Sequence, residues 1–253
     1  MATIQSGIGR IRMFEDFLGA EHPIALQVEF ENIGPFKIGG EGIEEEQTYA
    51  GGAVLDSDGL SGIIQLTTDD ENLDTALIKT AICFDAGLMG TLVLETRVRF
   101  TDLTAKAAFV GFSDTCADDA DFATDIIDYS AVTTVSYVVS NLCGFYLSSE
   151  FTDDEDWHAV YKGGTATAVT ATGSIDLDDD AVATEFQILR LEVDNNGTAR
   201  WYIDGVLLKT LEGAMSTTTD MCAVVGVTAN AAADVAVMDV DYILVEANRD
   251  WTV

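Results

Sequence analysis

Three acidic loops contain residues whose types and spacing could bind a metal ion. Calcium takes about six to eight oxygen ligands, and carboxylates from converging loops can supply them. None of the three loops has the ligand spacing of an EF-hand, so no resident cofactor is predicted and calcium stays an open alternative. Loop by loop, the candidate ligands are Asp114, Asp118, Asp119 and Asp121; Asp153, Asp154, Glu155 and Asp156; and Asp176, Asp178, Asp179 and Asp180.

Paired carboxylates would point to glycoside hydrolysis, which in retaining enzymes needs two of them about 5 Å apart. The family 16 glycosidase pattern is Glu-x-Asp-x-x-Glu on one strand. The nearest match begins at Glu192 and Asp194, but Gly197 stands in place of the last glutamate and the segment runs into a turn. We therefore predict that the chain is not an enzyme. Glu192 is interpreted as the cross-strand partner of Arg200.

Histidines and exposed aromatic residues are the remaining candidates for chemistry. His158 has no second histidine or cysteine at a metal-binding spacing, so no zinc site is predicted and it is interpreted as an ordinary strand residue. A lectin would need exposed aromatic rings that stack on sugars. Trp157 and Tyr202 are the candidates for glycan stacking.

The segment from residue 186 to residue 211, FQILRLEVDNNGTARWYIDGVLLKTL, predicts three antiparallel strands joined by two tight turns. A three-residue loop with Gly197 in the left-handed region places Val193 opposite Ala199. The same register places Leu191 opposite Trp201, and it buries one apolar face. The second turn pairs Ile203 with Val206 and Trp201 with Leu208.

The strand LRLEVD, the polar turn and the aromatic strand ending in DG resemble the late hairpin of concanavalin A-like β-sandwiches. That superfamily includes lectins, laminin G-like modules, family 16 glucanases and proteins of tailed-phage virions. FEDFLGAE (14–21) and LVLETRVRF (92–100) are similar to segments of phage structural proteins in particular. The resemblance implies a two-sheet sandwich and a structural role in a phage particle.

The composition limits the classes of partner. The chain has 253 residues, 44 acidic against 12 basic side chains and a formal net charge of −32. Such a charge repels nucleic acid, so no nucleic-acid partner is predicted. No run of about 18 apolar residues is present, so no membrane span is predicted. The four cysteines lack a Cys-x-x-Cys spacing, and synthesis in a host cytoplasm with reduced thiols is expected.

Strand-like segments separated by turns dominate the chain, which predicts an all-β, two-sheet antiparallel jelly roll. Residues 23–253 form this single domain, and residues 1–22 form an N-terminal arm. Residues 72–80 are expected to be a short helix or a loop, and 235–246 a central strand. Arg10 and Arg12 make the arm locally basic, which suits contact with a neighbouring subunit.

The predicted function is that of a non-enzymatic decoration protein on the exterior of a phage capsid. Its partner would be the major capsid protein, and its location the virion surface. A homo-oligomer, for example a trimer, would strengthen weak contacts through avidity. The alternative is a lectin-like carbohydrate-binding module, free or in host attachment on a tail.

Overall fold

The computed structural model describes residues 3–4, 9–18, 32–41, 43, 51–56, 61–115 and 117–250. The segment 24–30, for which the sequence predicts a short strand, and Cys116 lie outside these ranges. The strands are β1 (Thr3–Ile4), β2 (Arg10–Glu15), β3 (Asn32–Ile33), β4 (Phe36–Gly39), β5 (Gly52–Leu55), β6 (Ile64–Thr67), β7 (Thr75–Lys79), β8 (Leu92–Phe100), β9 (Lys106–Ser113), β10 (Ile127–Ala131), β11 (Thr134–Tyr137), β12 (Leu142–Ser148), β13 (Asp156–Lys162), β14 (Asp176–Asp180), β15 (Gln187–Val193), β16 (Ala199–Ile203), β17 (Val206–Leu211), β18 (Cys222–Ala229) and β19 (Val237–Asn248).

Helical structure in the described residues is limited to short segments. They are α1 (Ala86–Met89), α2 (Thr172–Ile175) and a π-helix (Phe122–Ile126). Among these ranges, no helix is long and apolar enough to cross a membrane. The expectation of a helix or loop at 72–80 is wrong from residue 75 onward, because β7 is a fully buried strand. Its apolar centre pairs with β4 and β18, and this tertiary pairing overrides local propensity.

Two sheets pack face to face. Sheet I has the order β1-β2-β19-β8-β15-β16-β17, with β6 also pairing with β19 and β5 with β6. Sheet II has the order β14-β13-β12-β9-β18-β7-β4-β3. The antiparallel pairing confirms the predicted all-β sandwich. As predicted, β19 is central, since β2, β6 and β8 all pair with it.

Large aromatic side chains fill the space between the sheets. Trp157 lies about 6 Å from Phe100 of sheet I and from Phe145 of sheet II, measured between ring centres. Trp201 reaches from sheet I to sheet II, where its Nε1 donates to the Gly144 carbonyl at 2.8 Å. A Cβ at Gly144 would lie 2.5 Å from the Val110 carbonyl oxygen, so only glycine allows this close approach.

The outer face of sheet II is also covered. Phe122 of the π-helix packs edge-on against Phe109, and Phe151 packs against Tyr146, with ring centres 6.1 and 5.8 Å apart. Phe109, Phe122 and Tyr146 are almost fully buried. Sheet II is therefore apolar on both faces. The outer face of sheet I carries the charged and aromatic side chains instead.

The N-terminal segment is in part a strand of the sandwich. Residues 10–15 form β2, which pairs with β19 from Ile243↔Glu15 to Asn248↔Arg10. Ile11 and Met13 pack against the core, while Arg10 is exposed. Cys143 and Cys222 lie in apolar runs of the sequence and are buried, whereas Cys83, also in an apolar run, is exposed.

Candidate functional site

The outer face of sheet I presents an array of planar polar and aromatic side chains. Alternation along β8 and β15 buries Leu94 and Leu191 and turns their neighbours outward. The same alternation on β2, β16 and β19 adds further outward residues. The members of this outer face are Arg10, Arg12, Phe14, Glu95, Arg97, Arg99, Phe186, Arg190, Glu192, Arg200, Tyr202, Asp239, Asp241, Tyr242 and Glu246.

Arg190 holds the centre of this face. Its Nη1 donates to Glu95 at 2.7 Å, and its Nε and Nη2 donate to one oxygen of Glu192 at 2.8 and 2.7 Å. The Tyr242 hydroxyl donates to Glu95 at 2.9 Å, and the Tyr202 hydroxyl is 3.4 Å from Glu192. Burial lowers the pKa of Arg190, but its bonds to the two glutamates outweigh this and raise the pKa above its ordinary value.

A polar groove of about 240 Å³ adjoins this centre. It offers guanidinium and amide donors beside carboxylate acceptors. Arg12 lies close by, 3.1 Å from Glu246, and its guanidinium covers the ring of Phe14. The groove is lined by Arg10, Thr91, Val93, Arg190, Glu192, Glu246, Ala247 and Asn248.

At the other end of the outer face, arginines pair with aspartates of the neighbouring strand and lie over an aromatic ring. Arg97 and Arg99 both lie over the ring of Phe186, at 4.1 and 4.5 Å from its centre. Arg97 also pairs with Asp241 at 2.7 Å, and Arg99 with Asp239 at 2.8 Å. The charged groups at this end of the face are therefore paired with one another.

The structure separates the two predicted stacking residues. Tyr202 lies on the outer face, half-buried beside Glu192. Trp157 is fully buried, and its Nε1 donates to Gln187 at 3.0 Å, so it is a core residue and not a surface for a sugar ring. Strand alternation turns Trp157 inward because the neighbouring positions 156 and 158 face the other way. Arg10 lines the groove, and Arg12 borders it.

Of the three acidic loops, the first is satisfied by protein partners. Asp118 contacts both Lys37 and Lys79, and their hydrogen bonds hold its pKa below the ordinary value. Asp114 accepts from Asn141, and Asp121 accepts from the backbone of the π-helix. The carboxylates at these three positions therefore each have a protein partner.

The second and third loops converge. Asp153, Asp156 and Asp176 each place one carboxylate oxygen within 4.8 Å of the others. Burial, a hydrogen bond to Asp180 and the charge of Asp176 raise the pKa of Asp156 to about 7. The sequence spacing could not reveal this convergence, because it arises from the pairing of β13 with β14.

His158 lies beside these carboxylates. It is fully buried, and the backbone groups of Asp156 and Tyr146 lie within hydrogen-bonding reach of its imidazole. Burial lowers the pKa of its imidazole, and the charge of Asp176 opposes that effect. His158 lies within β13, and the sequence gives no sign that Asp176 pairs with it.

Comparisons with known proteins support the fold. The chain matches no family model and no curated protein sequence. Among solved structures, it is similar to SO2946, a protein of unknown function from Shewanella oneidensis MR-1, with a TM-score of 0.57, 10% identity, and coverage of 100% of this chain and 92% of the other. A Bacillus licheniformis β-glucanase gives a TM-score of 0.55 at 12% identity, covering 95% and 99%. Peanut lectin gives 0.55 at 10% identity, covering 94% and 98%.

These neighbours confirm the concanavalin A-like lectin/glucanase sandwich. At such identities the likeness establishes the fold alone. The prediction that the chain is not an enzyme is corrected by the same finding, because a glucanase is among the proteins with this fold. The absence of the Glu-x-Asp-x-x-Glu pattern excludes only the family 16 arrangement of catalytic carboxylates. The fold itself is compatible with glycan-active sites as well as with lectin sites.

Proposed function

We propose that the outer face of sheet I binds a carbohydrate in the groove beside Arg190. The observation that carries this proposal is the fixed pair of glutamates around one guanidinium, next to an open polar groove. Its ligand-binding groups are Arg10, Arg190, Glu192, Glu246 and Asn248.

The chemistry of these groups suits a ligand with many hydroxyls. Carboxylate oxygens accept and guanidinium nitrogens donate, so neighbouring sugar hydroxyls can bond to both kinds of group. Arg190 is already held by Glu95 and Glu192, so little side-chain entropy is lost when a ligand binds. Tyr202, on the adjoining strand, offers a ring for the apolar face of a sugar.

A glycan array probed with the full chain tests the proposal. Glu192→Gln keeps the shape of the side chain but removes its charge, and should weaken binding of a captured glycan at least tenfold. Asp241→Asn makes the same change in charge at the closed end of the face, where Asp241 pairs with Arg97. Its affinity should stay within twofold of the parent chain. A silent array, or equal losses in the two variants, would refute the groove as the binding site.

The captured glycans also serve as substrates. The groove contains Glu192 and Glu246, and the fold is shared with a glucanase. Each captured glycan is incubated with the chain and assayed for new reducing ends. Hydrolysis lost in Glu246→Gln would extend the proposal from binding to catalysis.

A second proposal retains the structural role in a phage particle, with the major capsid protein or a further copy of the chain as partner. It is favoured by the edge of sheet I, where β17 has no second partner among the described strands and exposes 58% of Val206 and 48% of Leu207. An apolar edge strand invites pairing with another chain. Co-sedimentation with undecorated capsids tests it, with Leu207→Lys as the edge variant and Val182→Lys, exposed elsewhere, as control. Binding that is absent, or that both variants retain, would count against it.

A further inference from the structure

A hydrogen-bond network fixes the guanidinium of Arg190 at the centre of the outer face of sheet I. A guanidinium has five N–H donors. Three of them bond within the chain: Nη1 to Oε2 of Glu95 at 2.7 Å, and Nε and Nη2 to Oε1 of Glu192 at 2.8 and 2.7 Å. Among the described residues the guanidinium makes no further hydrogen bond, so one hydrogen on each Nη nitrogen remains for a ligand.

The two glutamates have different roles in this network. Both oxygens of Glu95 are used, because Oε1 accepts from the Tyr242 hydroxyl at 2.9 Å and Oε2 accepts from Arg190. Neither Glu95 nor Tyr242 lines the groove. Glu192 lines the groove and bonds to Arg190 through Oε1, while the Tyr202 hydroxyl lies 3.4 Å from its Oε2. Oε2 of Glu192 is therefore the acceptor that can turn to a ligand, whereas Glu95 acts only through Arg190.

A β-bulge in β19 turns Tyr242 towards Glu95. Strict alternation from Asp239, which bonds to an arginine of the outer face, would turn residue 242 inward. The register instead shifts between Val240 and Tyr242, so that Tyr242 becomes the ladder partner of Arg97 on the outer face. Bulges that re-aim one side chain are common beside functional sites. Burial and the bond to Glu95 raise the pKa of the Tyr242 phenol, so its hydroxyl keeps the proton that it donates.

The groove is balanced in charge, and this limits the class of ligand. Its charged lining residues are two arginines, Arg10 and Arg190, and two glutamates, Glu192 and Glu246. The chain as a whole has a net charge of −32, which repels an anionic sugar. An uncharged sugar meets no such repulsion. Two of its neighbouring hydroxyls can accept from the two remaining donors of Arg190, and one of them can donate to Glu192.

We propose that Glu95 and Tyr242 are positioning residues of this groove. They fix Arg190 in one orientation, so that its two remaining donors and Oε2 of Glu192 meet adjacent hydroxyls of an uncharged glycan. The class of ligand rests on the proposed function, whereas the fixed orientation of Arg190 is a property of the free chain and is measured without a ligand. Because a preorganised side chain loses little entropy on binding, loosening Arg190 weakens affinity even though no ligand contact is removed.

The Nε–H signal of Arg190 in a ¹H–¹⁵N NMR spectrum of the full chain reports this orientation. The signal that disappears in Arg190→Gln is assigned to this residue. Glu95→Gln and Tyr242→Phe should each speed the exchange of this hydrogen with water about fivefold, the effect of losing one hydrogen bond. Tyr129→Phe and Glu150→Gln are matched controls, because a second hydroxyl–carboxylate pair joins these two residues and neither lines the groove. Both controls should leave the exchange rate of Arg190 unchanged.

The glycan array supplies the second measurement, with uronic acid and sialic acid glycans printed beside neutral ones. Neutral glycans should be captured, and Tyr242→Phe and Glu95→Gln should each weaken their binding about fivefold. Tyr242→Phe removes one hydroxyl only, so it keeps the test decisive if Glu95→Gln does not fold. Tyr129→Phe should bind like the parent chain.

Three results would overturn the inference: an unchanged exchange rate of Arg190 in both variants, unchanged glycan affinity despite faster exchange, or capture of acidic glycans alone. A silent array has a different meaning. It would refute the proposed function and with it the class of ligand, while the exchange rate of Arg190 would still decide whether Glu95 and Tyr242 position this side chain.

Discussion

Asp74 is a buried carboxyl that should make the stability of this protein depend on pH. It directly precedes β7, only 5% of it is exposed, and its Oδ2 has no hydrogen-bond partner among the described residues. Burial, followed by the charges of Asp69, Glu71 and Glu41, raises its pKa from the ordinary 3.8 to about 6. Asp74→Asn keeps the shape of the side chain and removes the charge.

The direction and size of the effect follow from this pKa. The folded state holds the proton more tightly than the unfolded chain does, so ionisation of Asp74 destabilises the fold. The resulting loss in free energy of unfolding begins near pH 4, grows until about pH 6, and is constant above that pH. The rise in the pKa of Asp74 from 3.8 to about 6 corresponds to a total loss of about 3 kcal/mol in the free energy of unfolding, at about 1.4 kcal/mol per pKa unit. Between pH 5 and pH 8, about 1.4 kcal/mol of this loss should develop.

Urea unfolding followed by tryptophan fluorescence measures the effect, because Trp157 and Trp201 are buried. The range runs from pH 5 to pH 8, above the isoelectric point of about 4.1. The free energy of unfolding of Asp74→Asn, relative to that of the parent chain, should rise by about 1.4 kcal/mol from pH 5 to pH 8. Asp70→Asn is the control, since it removes the same charge from the same loop but Asp70 is not among the charges that act on Asp74.

Two results would refute this reasoning. An advantage for Asp74→Asn that is independent of pH would mean that Asp74 ionises with an ordinary pKa. A pH-dependent advantage of equal size in Asp70→Asn would assign the effect to the net charge of −32 and not to the burial of one carboxyl.

Three substitutions test the packing and the turn. Trp201→Phe removes the bond to the Gly144 carbonyl and leaves a cavity between the sheets, so it should cost about 2–4 kcal/mol in urea unfolding. Gly144→Ala should cost about 1–3 kcal/mol, because its Cβ would lie 2.5 Å from the Val110 carbonyl oxygen; a neutral result would mean that β9 and β12 can separate. Gly197→Ala should cost about 1–3 kcal/mol, since φ is +78° and the new Cβ would lie 2.4 Å from the Met215 carbonyl oxygen. Unchanged thermal stability of this variant would show that the turn can relax.

Local sequence signals predicted the central hairpin almost completely. The pairs Val193↔Ala199 and Leu191↔Trp201 are present, and Gly197 is left-handed. The second turn also pairs Ile203 with Val206, but a bulge between residues 201 and 202 moves the partner of Trp201 from Leu208 to Lys209. A bulge adds one residue to one strand, and the apolar pattern of 206–211 does not mark where it falls.

The candidate sites were harder to predict, because they depend on strand pairs that are distant in sequence. Apolar and charged residues alternate in LVLETRVRF, a pattern typical of a strand with one charged face, but only the pairing of β8 with β15 brings Glu95 to Arg190. In the same way, Glu192 and Arg200 are ladder partners as predicted, yet Glu192 bonds to Arg190 and Arg200 bonds to Asp194 at 2.6 Å. Register predicts which side chains are neighbours, while the rotamers of long side chains decide which of them pair.

The charges of the chain are distributed unevenly, and this bears on the proposed glycan site. Six of the 12 basic residues lie on the outer face of sheet I, where carboxylates largely balance them. The rest of the surface must therefore be even more acidic than the average for a net charge of −32. A hydroxyl-rich ligand meets no net charge on the balanced face, whereas an anionic ligand is repelled by the acidic remainder. Raising the ionic strength should therefore affect the binding of a neutral glycan little. These six basic residues are Arg10, Arg12, Arg97, Arg99, Arg190 and Arg200.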